Sequence, residues 1–251
     1  MKFIPENVWK YLSVKLPIIG AFLLGVLPVL IQEGINTQLI PAEYHALLLS
    51  IVLPALAYIG RKIAQPQLRN QPLGFVTVTA GHSNTDPGAV NGKIKESELV
   101  TNFRNAVTYY LREAGLQVKT DGTGSKNDPL SAAVKLITGS SVAVEFHMNA
   151  AASKQANGIE TIALPKDKKL AQDLSKAVAD AFGSRLRGDN GWIDQSQSAR
   201  GKLGFISNGG LIVELGFISN EEELFQFNAR YWSAAKAVAR VLIEYEKRNI
   251  R

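Results

Sequence analysis

Two apolar stretches near the amino terminus constrain this chain more than any other feature. Residues 16–31 (LPIIGAFLLGVLPVLI) hold only apolar residues, Gly and Pro, and 46–60 (ALLLSIVLPALAYIG) is broken only by Ser50. A membrane-spanning helix needs about 20 apolar residues, with roughly 17 as the lower limit. Both runs are short, but Val14, Tyr44 and Tyr58 extend them toward an interface. Pro17, Pro28 and Pro54 would bend a soluble helix and are better tolerated in lipid. Burial as two core helices is the alternative, but neither run carries the polar face that a small soluble domain would require. The expectation is an α-helical transmembrane hairpin over residues 1–64, with spans at about 14–32 and 44–60.

Charge orients the hairpin. Lys2, Lys10 and Lys15 precede the first run, and Arg61, Lys62 and Arg69 follow the second. The connection from Gln32 to His45 holds Glu33 and Glu43 but no Lys or Arg. The positive-inside rule then puts both termini in the cytoplasm. Ala55-Leu-Ala57 has the small-x-small form of a signal cleavage site, but lies too deep in the chain for one.

Residues 65–72 (QPQLRNQP) form a polar, proline-bearing linker, and a second domain is expected over 73–251. Its pattern alternates. Phe75–Ala80, Gln117–Thr120, Val142–Phe146, Gly158–Leu164 and Leu211–Leu215 are strand-like. Glu96–Ala114, a segment running from an Asp128 cap to about Ile137, Asp167–Phe182 and Phe227–Lys247 have helical character. Strands alternating with helices predict an α/β fold, a mostly parallel sheet with helices on both faces.

The absence of cysteine removes disulfides, thiolate metal sites and Cys nucleophiles. Net charge is +6, but no Lys/Arg block of nucleic-acid type stands out, so no nucleic-acid partner is expected. Histidine chemistry is limited to His45, His82 and His147.

Three polar residues close strands: His82, His147 and Glu214. In open α/β sheets ligands collect beyond the carboxyl ends of strands, so these three can converge. Glu98, near a helix start, is placed to join them. Two imidazoles and a carboxylate are a common catalytic zinc set, and a further carboxylate then handles the proton of water. A carboxylate inside the apolar strand LIVEL is costly unless paired or metal-linked. Ser83 beside His82 lacks the G-x-S-x-G elbow of a serine hydrolase.

Five segments, in order, carry a family resemblance. Ala80–Val90 (AGHSNTDPGAV) resembles the first metal motif of the type-3 N-acetylmuramoyl-L-alanine amidases, a strand-end His before a D-P-G-A loop. Glu98-Leu-Val-Thr-Asn102 resembles that family's E-x-x-x-N helix start, and Glu145-Phe-His-Met-Asn-Ala150 its S-I-H-x-N-A strand end. Gly158-Ile-Glu-Thr161 and Val213-Glu-Leu-Gly-Phe-Ile-Ser-Asn220 resemble its G-x-E-T and E-x-G-F-x-S-N segments. The resemblance implies Zn²⁺ held by His82, Glu98 and His147, with Glu214 as the catalytic acid/base. Glu96 is a neighbouring candidate, set aside because Glu98 has the spacing to Asn102. Ser83, Glu145 and Phe146 depart from the family pattern.

The implied reaction is hydrolysis of the amide between N-acetylmuramic acid and L-alanine of the peptidoglycan stem. Asn102, Asn149 and Arg200 are candidate substrate-binding residues, with Lys202 beside Arg200 in a glycine-rich polar stretch. A wall hydrolase with cytoplasmic termini suggests an endolysin stored at the inner membrane for phage-induced host lysis. The hairpin resembles small two-span holins in layout, which allows self-association. The alternative is a holin-like pore or anchor whose amidase-fold domain only binds cell wall.

Overall fold

A computed structural model describes residues 26–55, 75–198 and 201–249. The chain divides into two units, Met1–Pro72 and Leu73–Arg251. In the first, helix α1 spans Leu27–Asn36, with Pro28 in its first turn, where a missing N–H costs nothing. It stops at Thr37, whose hydroxyl turns back to the Glu33 carbonyl, and Gln38 takes a left-handed φ of 60°. A 3₁₀ turn at Ala42–Tyr44, a single helical turn at His45–Leu47 and a π segment at Leu48–Val52 follow. None of the residues in α1 is buried, and Val29 is 65% exposed. Among the described residues no helix is long and apolar enough to cross a membrane. Much of the expected spans at 14–32 and 44–60, and all of the linker, lie outside the described residues.

The second unit has, among its described residues, a six-stranded sheet of strand order β4-β1-β5-β8-β6-β7. Its strands are β1 (Phe75–Ala80), β4 (Gln117–Lys119), β5 (Val142–Asn149), β6 (Glu160–Ala163), β7 (Trp192–Asp194) and β8 (Leu211–Phe217). Pairing is parallel except between β6 and β8. A small antiparallel pair, β2 (Val90–Asn91) and β3 (Ile94–Lys95), leads into the first long helix of this unit.

Strand alternation divides the sheet into two unlike faces. Val76, Val78 and Ala80 of β1, Val142, Val144, Phe146 and Met148 of β5, and Leu211, Val213 and Leu215 of β8 form one apolar face. Three long helices cover it: α2 (Glu96–Glu113), α4 (Lys168–Phe182) and α6 (Glu221–Asn249). Their buried stripes, such as Val100, Phe103, Val107 and Leu111 of α2, follow the helical period. The intervening strand residues face the other way. Ala143, Ile162 and Ile212 pack there under two short helices, α3 (Leu130–Ile137) and α5 (Gly204–Ser207). Helices thus lie on both faces, but the second cover is partial and leaves the strand ends open. On β5, Glu145 and His147 share that second face with Ala143, as Glu214 does with Ile212 on β8.

Two boundary expectations are corrected. The α3 cap residue is Pro129 rather than Asp128, whose carboxylate faces Lys126 at 3.4 Å. Helix α6 begins six residues before Phe227, at Glu221, because Asn220 caps it by accepting the amides of Glu222 and Glu223.

Candidate metal centre

His82 ends the β1 connection with φ of +68°, a left-handed backbone rarely adopted by a residue with a side chain. A tight loop holds it there. Ser83 Oγ accepts the amides of Thr85 and Asp86, and Asp86 Oδ1 accepts the amide of Gly88. The other Asp86 oxygen lies 3.0 Å from His82 Nδ1. The carboxylate thus fixes one ring nitrogen and leaves Nε2 for the interior.

Glu96 is the first residue of α2, and its carboxylate is 1% exposed. Oε1 accepts the Met148 amide at 2.9 Å and lies 3.0 Å from His147 Nδ1. Oε2 accepts the Ala89 amide at 2.9 Å and lies 2.9 Å from His82 Nε2. His147 is 8% exposed, and Gly81 passes so close that a Cβ there would sit 2.2 Å from the imidazole. Ligand atoms of His82, Glu96 and His147 all lie within 4.8 Å of one another.

The carboxylate in this cluster is Glu96, not the expected Glu98. Glu98 is 62% exposed and pairs with Lys95 at 3.2 Å. Two residues along a helix rotate a side chain by about 200°, so Glu96 and Glu98 cannot serve the same face. The helix starts one residue after the β3 strand, and that start aims Glu96 inward.

Charge balance within the cluster is strong. Burial alone lowers the His147 pKa, but hydrogen bonds to Glu145 and Glu96, with the Glu214 charge, override it and push it up to about 10. Burial raises Glu96, yet the two imidazoles hold it well below the usual carboxylate range. For His82 burial again lowers the pKa, and Glu96 and Asp86 more than offset that.

The donor set suits zinc, which favours imidazole nitrogen and carboxylate oxygen. One detail supports the fit. His82 Nε2 is buried and, despite its 2.9 Å approach to Glu96, makes no aligned hydrogen bond. A lone donor atom of this kind is what a cation would satisfy.

The centre opens into a cleft of about 790 Å³. Glu214 lines it and stands in register with His147 on the adjacent strand. The β5–β8 register then shifts between His147 and Asn149, a bulge at the site itself. Glu145, Glu160 and Arg187 are further polar lining residues, and Leu130, Ile193, Leu203 and Phe205 supply an apolar wall. Asn149 reaches the cleft and donates to Glu160 Oε1 at 2.9 Å. Arg187 Nε donates to the other Glu160 oxygen at 2.5 Å. Asn102 is exposed and lines a separate small crevice with Glu98 and Asn127, so it does not join the cleft. Arg200 lies outside the described residues.

Sequence reasoning missed Glu145, Glu160 and Arg187. The first had a readable signal: two residues before His147 on one strand, it must share that residue's face.

Fold and centre together define a class: an α/β domain with a His–Glu–His group able to take a metal, its two histidines lining an open cleft with a further glutamate. The comparisons narrow this. Residues 76–244 match the model of the family Amidase_3, described as N-acetylmuramoyl-L-alanine amidase. The chain belongs to the N-acetylmuramoyl-L-alanine amidase family. A Neisseria meningitidis structure assigned as such an amidase is 46% identical, covering 69% of this chain and 96% of that one, with a TM-score of 0.64. The catalytic domain of CwlV from Bacillus (Paenibacillus) polymyxa var. colistinus is 24% identical over 71% of this chain and 99% of its own, TM-score 0.56. The catalytic domain of the CD27L endolysin targeting Clostridia difficile is 16% identical over 68% and 97%, TM-score 0.52. The last two likenesses are of fold. No curated protein matches the chain.

Proposed function

We propose that this amidase is zinc-dependent and cleaves the amide joining the lactyl group of N-acetylmuramic acid to L-alanine of the peptidoglycan stem. The observation that carries the reading is the His82–Glu96–His147 group, whose two histidines line one cleft with Glu214. His82, Glu96 and His147 would hold the ion. Bound there, zinc supplies Lewis-acid polarisation of the scissile carbonyl and acidification of water. Glu214 takes the proton of the attacking water and returns it to the alanine nitrogen as the C–N bond breaks. Glu214 is buried, lines the cleft and pairs in register with His147, which puts its carboxylate on the side of the metal group. Asn149 and Arg187 hold the Glu160 carboxylate, which shapes the cleft beside Glu214. The apolar wall accepts the less polar parts of the stem.

The first unit has a membrane role in this reading. Its exposed apolar side chains, with Val29 and Ile51 both more than half exposed, have little reason to face water. Flanking lysines and arginines fit a hairpin in the host inner membrane with cytoplasmic termini, as in a lysin stored for phage-induced lysis.

Digestion of purified peptidoglycan by the full chain, followed by mass spectrometry, tests the reaction. Free stem peptides beginning with L-alanine should appear, vanish with chelator and return with zinc. Glycan fragments with stems still attached would refute the assignment. Protease access to tagged termini in spheroplasts tests the topology; termini cleaved from outside would refute it.

A further inference from the structure

We propose that Glu145 is a positioning residue for the metal centre: it holds His147 Nε2–H and so presents Nδ1 to the ion. The inference rests on the zinc reading above. The two nitrogens of His147 face opposite carboxylates. Nδ1 lies 3.0 Å from Glu96 Oε1, on the side of the His82–Glu96 cluster. Nε2 lies 3.1 Å from Glu145 Oε1, away from it. A neutral imidazole has one donor and one acceptor nitrogen, so a partner that accepts from Nε2–H fixes the tautomer whose lone pair is on Nδ1.

Glu145 is built to stay in that place. Alternation along β5 puts it on the same face as His147, two residues on. It is 2% exposed. Its second oxygen accepts from Thr79 Oγ1 on the neighbouring strand at 3.2 Å, and Thr79 and Glu145 are register partners. Gly81 closes one face of the imidazole, so the ring has little room to turn. A buried carboxylate with these partners is costly unless a proton donor faces it, and His147 Nε2–H is that donor. Ser takes this place in the amidase pattern noted above, and a hydroxyl there would lack the reach and the charge of Glu145.

The test uses the full chain, with zinc affinity measured by competition against a chelating dye, and nitrogen shifts of His147 read by two-dimensional NMR. In the wild type, zinc should sit on Nδ1 with Nε2 protonated. Glu145→Ala should lower zinc affinity about 10- to 100-fold and mix the tautomers. Glu145→Gln, whose amide oxygen accepts the same bond, should recover most of the affinity. Unchanged affinity and shifts in Glu145→Ala, or zinc on Nε2 in the wild type, would overturn the proposal while leaving the zinc reading intact. Loss of all binding in Glu145→Gln would make Glu145 a direct ligand and also overturn it. A wild type that takes no zinc would overturn both. The wild-type shifts decide the tautomer even if the alanine variant fails to fold.

Discussion

His147 and Glu214 occupy the same register position on neighbouring parallel strands β5 and β8, and both line the cleft. One is a ligand candidate and the other the proton carrier of the proposed reaction. Their relation is set by backbone pairing, so either can be replaced without moving the other's strand.

Glu214→Gln should therefore separate chemistry from metal binding. General acid–base groups contribute about 10²–10⁴-fold, so release of stem peptides should fall by that much. Zinc affinity should change by less than about tenfold. Rate assays on soluble wall fragments, run beside dye competition, make the comparison. A variant near wild-type rate would remove Glu214 from the reaction.

Gly81→Ala should damage the centre through space alone. The added Cβ would meet His147 Cε1 at 2.2 Å, a contact only ring displacement relieves. Zinc affinity should drop by at least about tenfold while the far-ultraviolet dichroism stays that of the wild type. Dye competition checks the first and dichroism the second. An unchanged affinity would mean the ring has more freedom than this packing allows.

Removing metal should expose a two-sided pH dependence of stability. His147 is raised, to about 10, so its stabilising contribution is full below its unfolded value near 6.5 and is lost as pH rises through about 10. Glu96 is lowered, so its contribution is present above its unfolded value near 4.5 and is lost as pH falls below it. Thermal melts of chelator-treated protein should peak between these limits. A midpoint still rising from pH 7 to 10 would contradict the His147 assignment.

Much of this architecture was legible in the sequence, for physical reasons. Apolar runs with strand alternation and the stripe Leu99–Phe103–Val107–Leu111 report burial directly, so the longer strands and helices of the second unit emerged with small boundary errors, while the short β2, β3 and α5 did not. His82 and His147 were legible because the carboxyl ends of strands are where such sheets gather ligands, and Glu214 because a carboxylate stands out in an apolar strand, although β8 runs on past it to Phe217. The Glu96/Glu98 choice was not, since it turns on which residue starts α2, and a two-residue slip rotates the side chain to the opposite face. Strand β7 was hidden because Trp192–Asp194 is short and follows a glycine-rich loop. Glu160 and Arg187 meet across 27 positions of chain, a pairing that local pattern does not encode.

Behind the site lies a buried support. Arg104 is fully buried and donates to Asp121 at 2.8 Å, to Asn127 and to the Lys126 carbonyl. Asp121 accepts the Ala80 amide and Asn127 donates to the Gly81 carbonyl, so the network fixes the backbone just before His82. Arg104→Leu would strand the Asp121 carboxylate without its cation. Chemical denaturation should show a loss of about 3–5 kcal/mol. A loss below about 1 kcal/mol would show the pair to be dispensable.

The most direct test of the central claim is zinc stoichiometry, by mass spectrometry of metal content, in the wild type, Glu96→Ala and Glu98→Ala. The account predicts one ion per chain in the wild type and in Glu98→Ala, and close to none in Glu96→Ala. Full occupancy in Glu96→Ala, or loss in Glu98→Ala alone, would contradict it.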